Sequence, residues 1–214
     1  MEYEELSAGA KALAREKYGR APVDWDEYVY DRFKEEGRDK GFSIDEIQFS
    51  GFYSQGDGAS WTGRVNLMMF IEHFIKPEHP EFSKYAVLLE LMRNGWVDEV
   101  MCISRRSFHY NHSGTMSSDS IRSVADLGQN NGATLEKGIL AGATVFELDQ
   151  AIDSENLILR LEELVLDEAK DYADEIYKAL REEYEGYTSE EAFKELIYIN
   201  GWRFNEKGGI EHGV

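Results

Sequence analysis

Arginine and histidine residues that could bind and act on a phosphate group lie close together in the middle of the chain. The group consists of Arg105, Arg106, His109 and His112. Residues 100–118 include no acidic side chain, although 42 of the 214 residues are Asp or Glu. Histidine can serve as a general acid or base and arginine can clamp a phosphate. These residue types therefore suit a phosphodiester-type reaction or the binding of a phosphorylated small molecule.

The spacing of the four residues argues against a complete catalytic site. On a regular strand, Arg105 and His109 would share one face of the sheet. Arg106 and His112 would share the opposite face. Two histidines without a third ligand at fixed spacing are weak evidence for a metal, so we predict no catalytic residue, no metal and no cofactor. The sequence favours the alternative, in which the arginines pair with acidic helices and the histidines are ordinary strand or turn residues.

A glycine-rich segment, Gln55-Gly56-Asp57-Gly58, is the second candidate. It superficially resembles a phosphate-binding loop, but no Lys-Ser/Thr pair follows and no helix is predicted to begin there. It also lacks the alternating oxygen ligands of a calcium loop. An Asp-Gly pair between two runs of strand character indicates a β-hairpin turn, with Asp57 as an exposed contact. If the chain binds a small ligand, Gln55, Asp57 and Trp61 would form one pocket with the arginine and histidine group.

Acidic residues are the third candidate, since the formal net charge is −19. Such a chain repels nucleic acids and anionic membranes and attracts basic surfaces, so we expect no direct nucleic-acid or membrane binding. From residue 151 to 191 the carboxylates recur mostly every three to four residues, which aligns them along a helix. The predicted acidic face contains Glu155, Glu162, Glu163, Asp167, Asp171, Asp174, Glu175, Glu182 and Glu183. It is either a solvated surface or a binding face for a basic protein.

Hydrophobic periodicity and turn residues predict the elements that position these candidates. Helices are predicted at 3–18, 24–37, 67–75, 81–93, 154–185 and 188–199. Leu6, Ala10, Leu13, Ala14 and Tyr18 should face inward on the first helix, and Trp25, Tyr28, Val29 and Phe33 on the second. Strands are predicted on either side of residues 55–58, across 97–112, near 115–118 and at 202–204. Residues 117–143, which are rich in Ser, Asn and Gly, are interpreted as a loop or a loosely helical excursion.

The hairpin spanning residues 44–65 is predicted to organise the fold. Ile47, Phe49 and Tyr53 should lie on one face, and Gln48, Ser50, Phe52 and Ser54 on the other, because side chains alternate along a strand. Gly51 and Gly63 suggest a bulge or a close backbone approach. The elements do not alternate as βαβ units, so the predicted fold class is α+β. It would have an antiparallel sheet of four to five strands, covered by helices that include one long C-terminal helix.

Length and composition favour a single domain over residues 1–214. Cys102 is the only cysteine, which excludes an internal disulfide and a CxxC metal site and fits a reducing cytoplasm. No apolar stretch is long enough for a membrane span, and the early acidic residues Glu2, Glu4 and Glu5 argue against a signal peptide. We therefore expect a cytoplasmic protein.

Three segments resemble a family of largely uncharacterised acidic proteins of bacteriophages and prophages. They are F-S-G-F-Y-S-Q-G-D-G-A-S-W-T-G at 49–63, F-H-Y-N-H-S-G-T-M at 108–116, and Y-K-A-L-R-E-E-Y-E-G-Y-T-S-E-E-A-F-K-E-L-I-Y-I-N-G-W-R-F at 177–204, together about a quarter of the chain. The resemblance implies a phage or mobile-element setting in the cytoplasm of a host cell. It implies no catalytic residue.

The combined expectation is a non-catalytic interaction protein that binds and inhibits a basic host protein, one that handles nucleic acid or serves in host defence. The acidic face would achieve this inhibition by mimicking nucleic acid. Two alternatives remain open. One is a small-ligand-binding protein or a phosphodiesterase-type enzyme that uses the arginine and histidine group. The other is an antitoxin-like protein that neutralises a toxin.

Overall fold

The predicted α+β fold is confirmed by a computed structural model, which describes residues 1–107, 109–122 and 155–211 except the Glu155 side chain. The helices are α1 (Ala8–Tyr18), α2 (Glu27–Asp39), α3 (Leu67–Phe74), α4 (Phe82–Arg93), α5 (Glu155–Tyr187) and α6 (Glu190–Asn200). The strands are β1 (Phe42–Ser50), β2 (Gly58–Asn66), β3 (Val100–Arg105) and β4 (Met116–Ser118). Most of the predicted loop at 117–143 and the predicted start of α5 at Ser154 lie outside the described residues.

Two compact units divide the chain. The terminal unit comprises Met1–Tyr30 and Lys178–Val214, and the sheet unit comprises Asp31–Tyr177. Helices α2 and α5 each contribute residues to both units. The single domain expected from composition remains a prediction. None of the helices in the described ranges combines the length and hydrophobicity needed to cross a membrane.

The sheet of the sheet unit has four antiparallel strands in the order β1-β2-β3-β4. β1 and β2 form the predicted hairpin, with Ile47 opposite Trp61 and Phe49 opposite Ala59. The strands end earlier than the alternating pattern predicts. Phe52, Tyr53 and Ser54 belong to the connecting loop and not to β1, so the expected assignment of these three residues to sheet faces is wrong.

The predicted irregularity at Gly63 is present. The pairing of β1 with β2 shifts by one residue between Ile44 and Glu46, opposite Gly63 and Thr62. A Cβ atom on Gly63 would lie 2.1 Å from the carbonyl oxygen of Ser43. Glycine at this position therefore permits a backbone approach that a larger residue would block.

The core of the sheet unit lies where the hairpin meets α5. Trp61 is 1% exposed, its indole nitrogen donates a hydrogen bond to the carbonyl oxygen of Ala169 at 2.9 Å, and its ring lies 5.2 Å from that of Phe42. The hydroxyl of Tyr172 donates to the carbonyl oxygen of Phe33 at 2.7 Å. The part of α5 in the sheet unit also contributes buried apolar side chains at helical spacing, namely Leu161, Val165, Ala169 and Ile176.

The terminal unit has its own aromatic core, formed by Tyr3, Leu6, Ala10, Ala14, Phe193 and Phe204. The predicted helix at 3–18 is interrupted, since a 3-10 turn at Tyr3–Glu5 precedes α1 and the Ser7 side chain caps α1. Leu13 is 57% exposed, so its predicted inward orientation is wrong. The predicted strand at 202–204 is a single bridge between Phe204 and Ile210.

Two helix assignments also need correction. Tyr28 of α2 is 67% exposed, whereas its neighbour Val29 is 2% exposed and provides the inward contact. Helix α6 is capped by Ser189, whose hydroxyl accepts a hydrogen bond from the amide of Ala192 at 3.1 Å. The helix predicted at 188–199 therefore begins later than expected, at Glu190. A difference of this size is a usual uncertainty at a helix end.

Candidate functional site

The α5 segment of the sheet unit carries an acidic row, which we define as Glu163, Asp167, Asp171 and Asp174. All four side chains are exposed, on the side of α5 opposite its buried apolar residues. The first three occur at every fourth position, which places neighbours about 6 Å apart along the helix axis. Periodicity predicted this arrangement, and the structure confirms that the row faces solvent.

Five other residues of the predicted acidic face have different surroundings. The carboxylate of Glu162 accepts a hydrogen bond from the amide of Ile121 at 2.5 Å and so holds the segment after β4. Glu175 forms an ion pair with Lys40 at 3.7 Å. In the terminal unit Glu182 pairs with Lys178 at 3.9 Å and Glu183 is half-buried. The side chain of Glu155 lies outside the described residues.

Glu168, which lies next to the acidic row on α5, is affected by the negative charge of its neighbours. Burial and then the nearby charge of Asp171 raise the pKa of Glu168, while Lys40 acts in the opposite direction. The ammonium group of Lys40 also lies 4.4 Å from the centre of the Tyr172 ring. Lys40 partly offsets the crowded carboxylates, and the row retains a net negative charge.

Asp57 closes the loop between β1 and β2. Its Oδ2 accepts hydrogen bonds from the amides of Tyr53 at 2.8 Å and Ser54 at 2.6 Å. Gly51, with φ of 47°, lets the chain leave β1 toward this carboxylate. Asp57 was predicted as an exposed contact, but its carboxylate oxygen is used in holding the loop.

Replacing Asp57 with alanine is therefore expected to loosen residues 51–57 without unfolding the sheet. Two hydrogen bonds to a charged acceptor would be lost, which we expect to reduce stability by about 1–3 kcal/mol. Amide hydrogen exchange at Tyr53 and Ser54 measures this directly. Asp57→Asn, which keeps an acceptor oxygen, should retain part of the protection. Unchanged exchange in both variants would contradict the assignment.

Arg105 is the anchored member of the arginine and histidine group. At the end of β3, its guanidinium donates to the side-chain oxygens of Gln48 and Asn111, the latter at 2.9 Å. The amide group of Asn111 in turn donates to the carbonyl oxygen of Phe49 at 3.3 Å. Gln48 and Asn111 were not expected from the sequence, because 57 residues separate Gln48 from Arg105. No local pattern signals such a contact.

The other three members lie beyond β3, so the expected alternation of faces along a strand is wrong. The amide of Arg106 donates to the carbonyl oxygen of Thr115 at 2.9 Å, and its side chain is exposed. His109 is exposed and His112 is half-buried. The chain leaves the sheet after Arg105, returning through a 3-10 turn at Ser113–Thr115.

The structure does bring the glycine-rich loop and the histidine segment together. A Cβ atom on Gly58 would lie 2.4 Å from the Cβ of His112, and one on Gly56 would lie 3.5 Å from the ring of Tyr110. Gln55 is exposed on the same loop. Trp61, the remaining candidate ligand contact, is enclosed in the core and bonded to Ala169, so its assignment to a ligand pocket is wrong.

Within residues 1–107, 109–122 and 155–211, no three His, Cys, Asp or Glu side chains are grouped closely enough to hold a metal ion. The acidic row is linear, so its carboxylates are presented outward and do not converge. This geometry suits contact with an extended surface.

The comparisons with known proteins identify a family but no function. A family model described as "Domain of unknown function (DUF8835)" matches residues 25–190. Neither a curated protein nor a solved structure matches the chain. The matched range includes the whole sheet unit, which contains the acidic row, the glycine-rich loop and the arginine and histidine group.

Proposed function

Because the chain belongs to the DUF8835 family, whose description assigns no activity, we propose its function from its surface chemistry. The protein is a non-catalytic binding protein that inhibits a basic protein by covering that protein's positively charged groove. The acidic row on α5 makes the contact. The partner class is a host protein that handles nucleic acid or serves in defence, in keeping with the resemblance to acidic phage proteins.

The observation that carries this proposal is the outward, largely unpaired state of the row. Asp167 pairs with Lys170 at 3.6 Å, but its side chain is still 74% exposed. Within the described part of the chain, Glu163, Asp171 and Asp174 form no ion pair with a lysine, arginine or histidine. Like charges aligned on one helix destabilise it, so a complementary cationic surface would be stabilising to both proteins.

Nucleic-acid mimicry follows from the regularity of the row. A cationic groove that holds a phosphate backbone attracts any surface presenting regularly spaced negative charges. The carboxylates of the row project from a rigid helix, so little conformational freedom is lost on contact. Association should be fast and should weaken as salt is added.

Charge reversal of the row is expected to abolish partner binding. The variant Glu163→Lys, Asp167→Lys, Asp171→Lys and Asp174→Lys converts attraction for a basic groove into repulsion. Pull-down from host lysate, at about 50 and 500 mM salt, identifies the partner, and calorimetry with that purified protein measures affinity. We expect binding of the unmodified protein at low salt, loss at high salt, and at least about a hundredfold loss in the variant.

A matched control distinguishes the contribution of the row to binding from the contribution of the protein's net charge. The variant Glu35→Lys, Asp39→Lys, Glu78→Lys and Glu99→Lys changes net charge equally, at exposed acidic residues outside the row. It should lower affinity far less. Equal losses in both variants would show that the contact is not made by the row.

A second candidate function rests on the close approach of Gly58 and His112. It is the binding or phosphodiester cleavage of a small ligand by Arg105, Arg106, His109 and His112. His109→Ala would then abolish activity toward the ligand, while reversal of the acidic row would do little. An antitoxin-like role differs from the first proposal only in the partner, which the pull-down identifies.

A further inference from the structure

A positively charged groove lies within the terminal unit. None of the residues that line it belongs to the acidic row. The groove encloses about 490 Å³, a volume typical of small-molecule sites. Lys17 and Arg20, at and just beyond the end of α1, contribute two cations to its lining, and Lys207 contributes a third from the C-terminal turn. Glu16 is the single acidic residue of the lining.

These three cations lack the carboxylate partners that other cations of the terminal unit have. Lys11 and Lys194 both pair with Glu4, at 3.3 and 3.0 Å. Over the described residues, Lys17, Arg20 and Lys207 form no ion pair within 4.0 Å. The ammonium of Lys17 lies 4.9 Å from the centre of the Tyr18 ring, a contact that leaves its charge uncompensated. In a chain with 42 acidic and 23 basic side chains, three cations without a carboxylate partner in one groove are a local exception to the overall charge.

The turn that carries Lys207 is held firmly against α1. Gly208 has φ of 80°, and a Cβ atom there would lie 2.3 Å from the carbonyl oxygen of Ala10. The Asn205 side-chain oxygen accepts hydrogen bonds from the amides of Lys207 at 3.0 Å and Gly209 at 2.9 Å. The groove wall is therefore pre-formed, which reduces the entropy lost when a ligand binds.

We propose that this groove binds a small phosphorylated ligand of the nucleotide class. Lys17, Arg20 and Lys207 would contact the phosphate oxygens through charge-assisted hydrogen bonds. Leu13, also in the lining and 57% exposed, gives an apolar surface on which a planar base can lie. The long-range field of an acidic chain repels anions, so binding requires this local set of cations.

Isothermal titration of the full-length protein with ADP, inorganic pyrophosphate and adenosine tests the proposal at about 50 mM salt. We expect ADP to bind more tightly than pyrophosphate, and adenosine to bind weakest. The groove variant Lys17→Gln, Arg20→Gln and Lys207→Gln should lose at least about tenfold in ADP affinity. The control variant Arg38→Gln, Arg64→Gln and Lys76→Gln removes the same charge from exposed positions of the sheet unit and should retain ADP binding.

The variant Leu13→Gln distinguishes the contribution of the nucleoside to binding affinity from that of the phosphate groups. It should weaken ADP binding and leave pyrophosphate binding unchanged. No binding of ADP at about 1 mM, equal losses in the groove and control variants, or equal affinities for ADP and pyrophosphate would each overturn the proposal. Circular dichroism of each variant confirms that the fold is intact, and none of these outcomes depends on the acidic row.

Discussion

Replacing Trp61 with alanine is expected to lower the free energy of unfolding of the sheet unit by about 3–5 kcal/mol. Trp61 is 1% exposed and packs against Phe42, and its indole nitrogen holds the backbone of α5 through Ala169. Alanine would leave a large cavity between the hairpin and α5 and remove that hydrogen bond. Urea unfolding followed by circular dichroism measures the loss.

Two further variants identify the source of the effect. Trp61→Phe keeps an aromatic ring but removes the hydrogen bond to Ala169, so it should cost less, about 1–3 kcal/mol. Trp96→Ala removes a tryptophan that is only half-buried in the same unit and should cost less than Trp61→Ala. A loss below about 1 kcal/mol for Trp61→Ala would show that this ring does not fill the core.

Replacing Gly63 with alanine is expected to destabilise the sheet unit by about 3 kcal/mol or more, although only a methyl group is added. The new Cβ would lie 2.1 Å from the carbonyl oxygen of Ser43 and 3.0 Å from the Cα of Ile44. Both are backbone atoms of β1, which cannot rotate away as a side chain can. Relief of the clash requires the two strands of the hairpin, β1 and β2, to separate at this point.

Gly37→Ala is the matched control for this substitution. Gly37 lies in α2, and its added Cβ would meet the Cβ of Phe42 and a ring carbon of Tyr172 at 3.4 Å, an ordinary contact distance. Alanine also favours a helix over glycine by about 1 kcal/mol. Gly37→Ala should therefore leave the urea midpoint close to that of the parent protein. Similar midpoints for Gly63→Ala and the parent would contradict the observed bulge.

Local sequence patterns predicted most elements of the fold. The apolar spacing at 67–75 predicted α3, found at Leu67–Phe74. The Asp-Gly signal placed the β1–β2 connection, and helical periodicity placed the solvent side of α5. The ends of elements were less predictable. An alternating pattern can extend past the end of a strand, where a carboxylate holds the following residues in a loop. Asp57 does so by bonding to the amides of Tyr53 and Ser54.

Candidate site residues were predicted less well than elements. The chemistry of Arg105 is visible in the sequence, but its anchoring by Gln48 depends on a pairing across 57 residues. Periodicity does not distinguish Glu162 from Glu163, yet it is Glu162 that accepts a hydrogen bond from the amide of Ile121. The positively charged groove was not predicted, since Lys17 and Lys207 are 190 positions apart in the chain.

The amino-acid sequence by itself determined the fold class, the hairpin and the outward row of carboxylates on α5. Each of these depends on residue spacing within one element or on the chemistry of one turn. Tertiary structure alone decided that Trp61 is a core residue, that Arg105 is held by Gln48 and Asn111, and that three cations share one groove. These outcomes depend on contacts between distant segments, whose geometry no local pattern specifies.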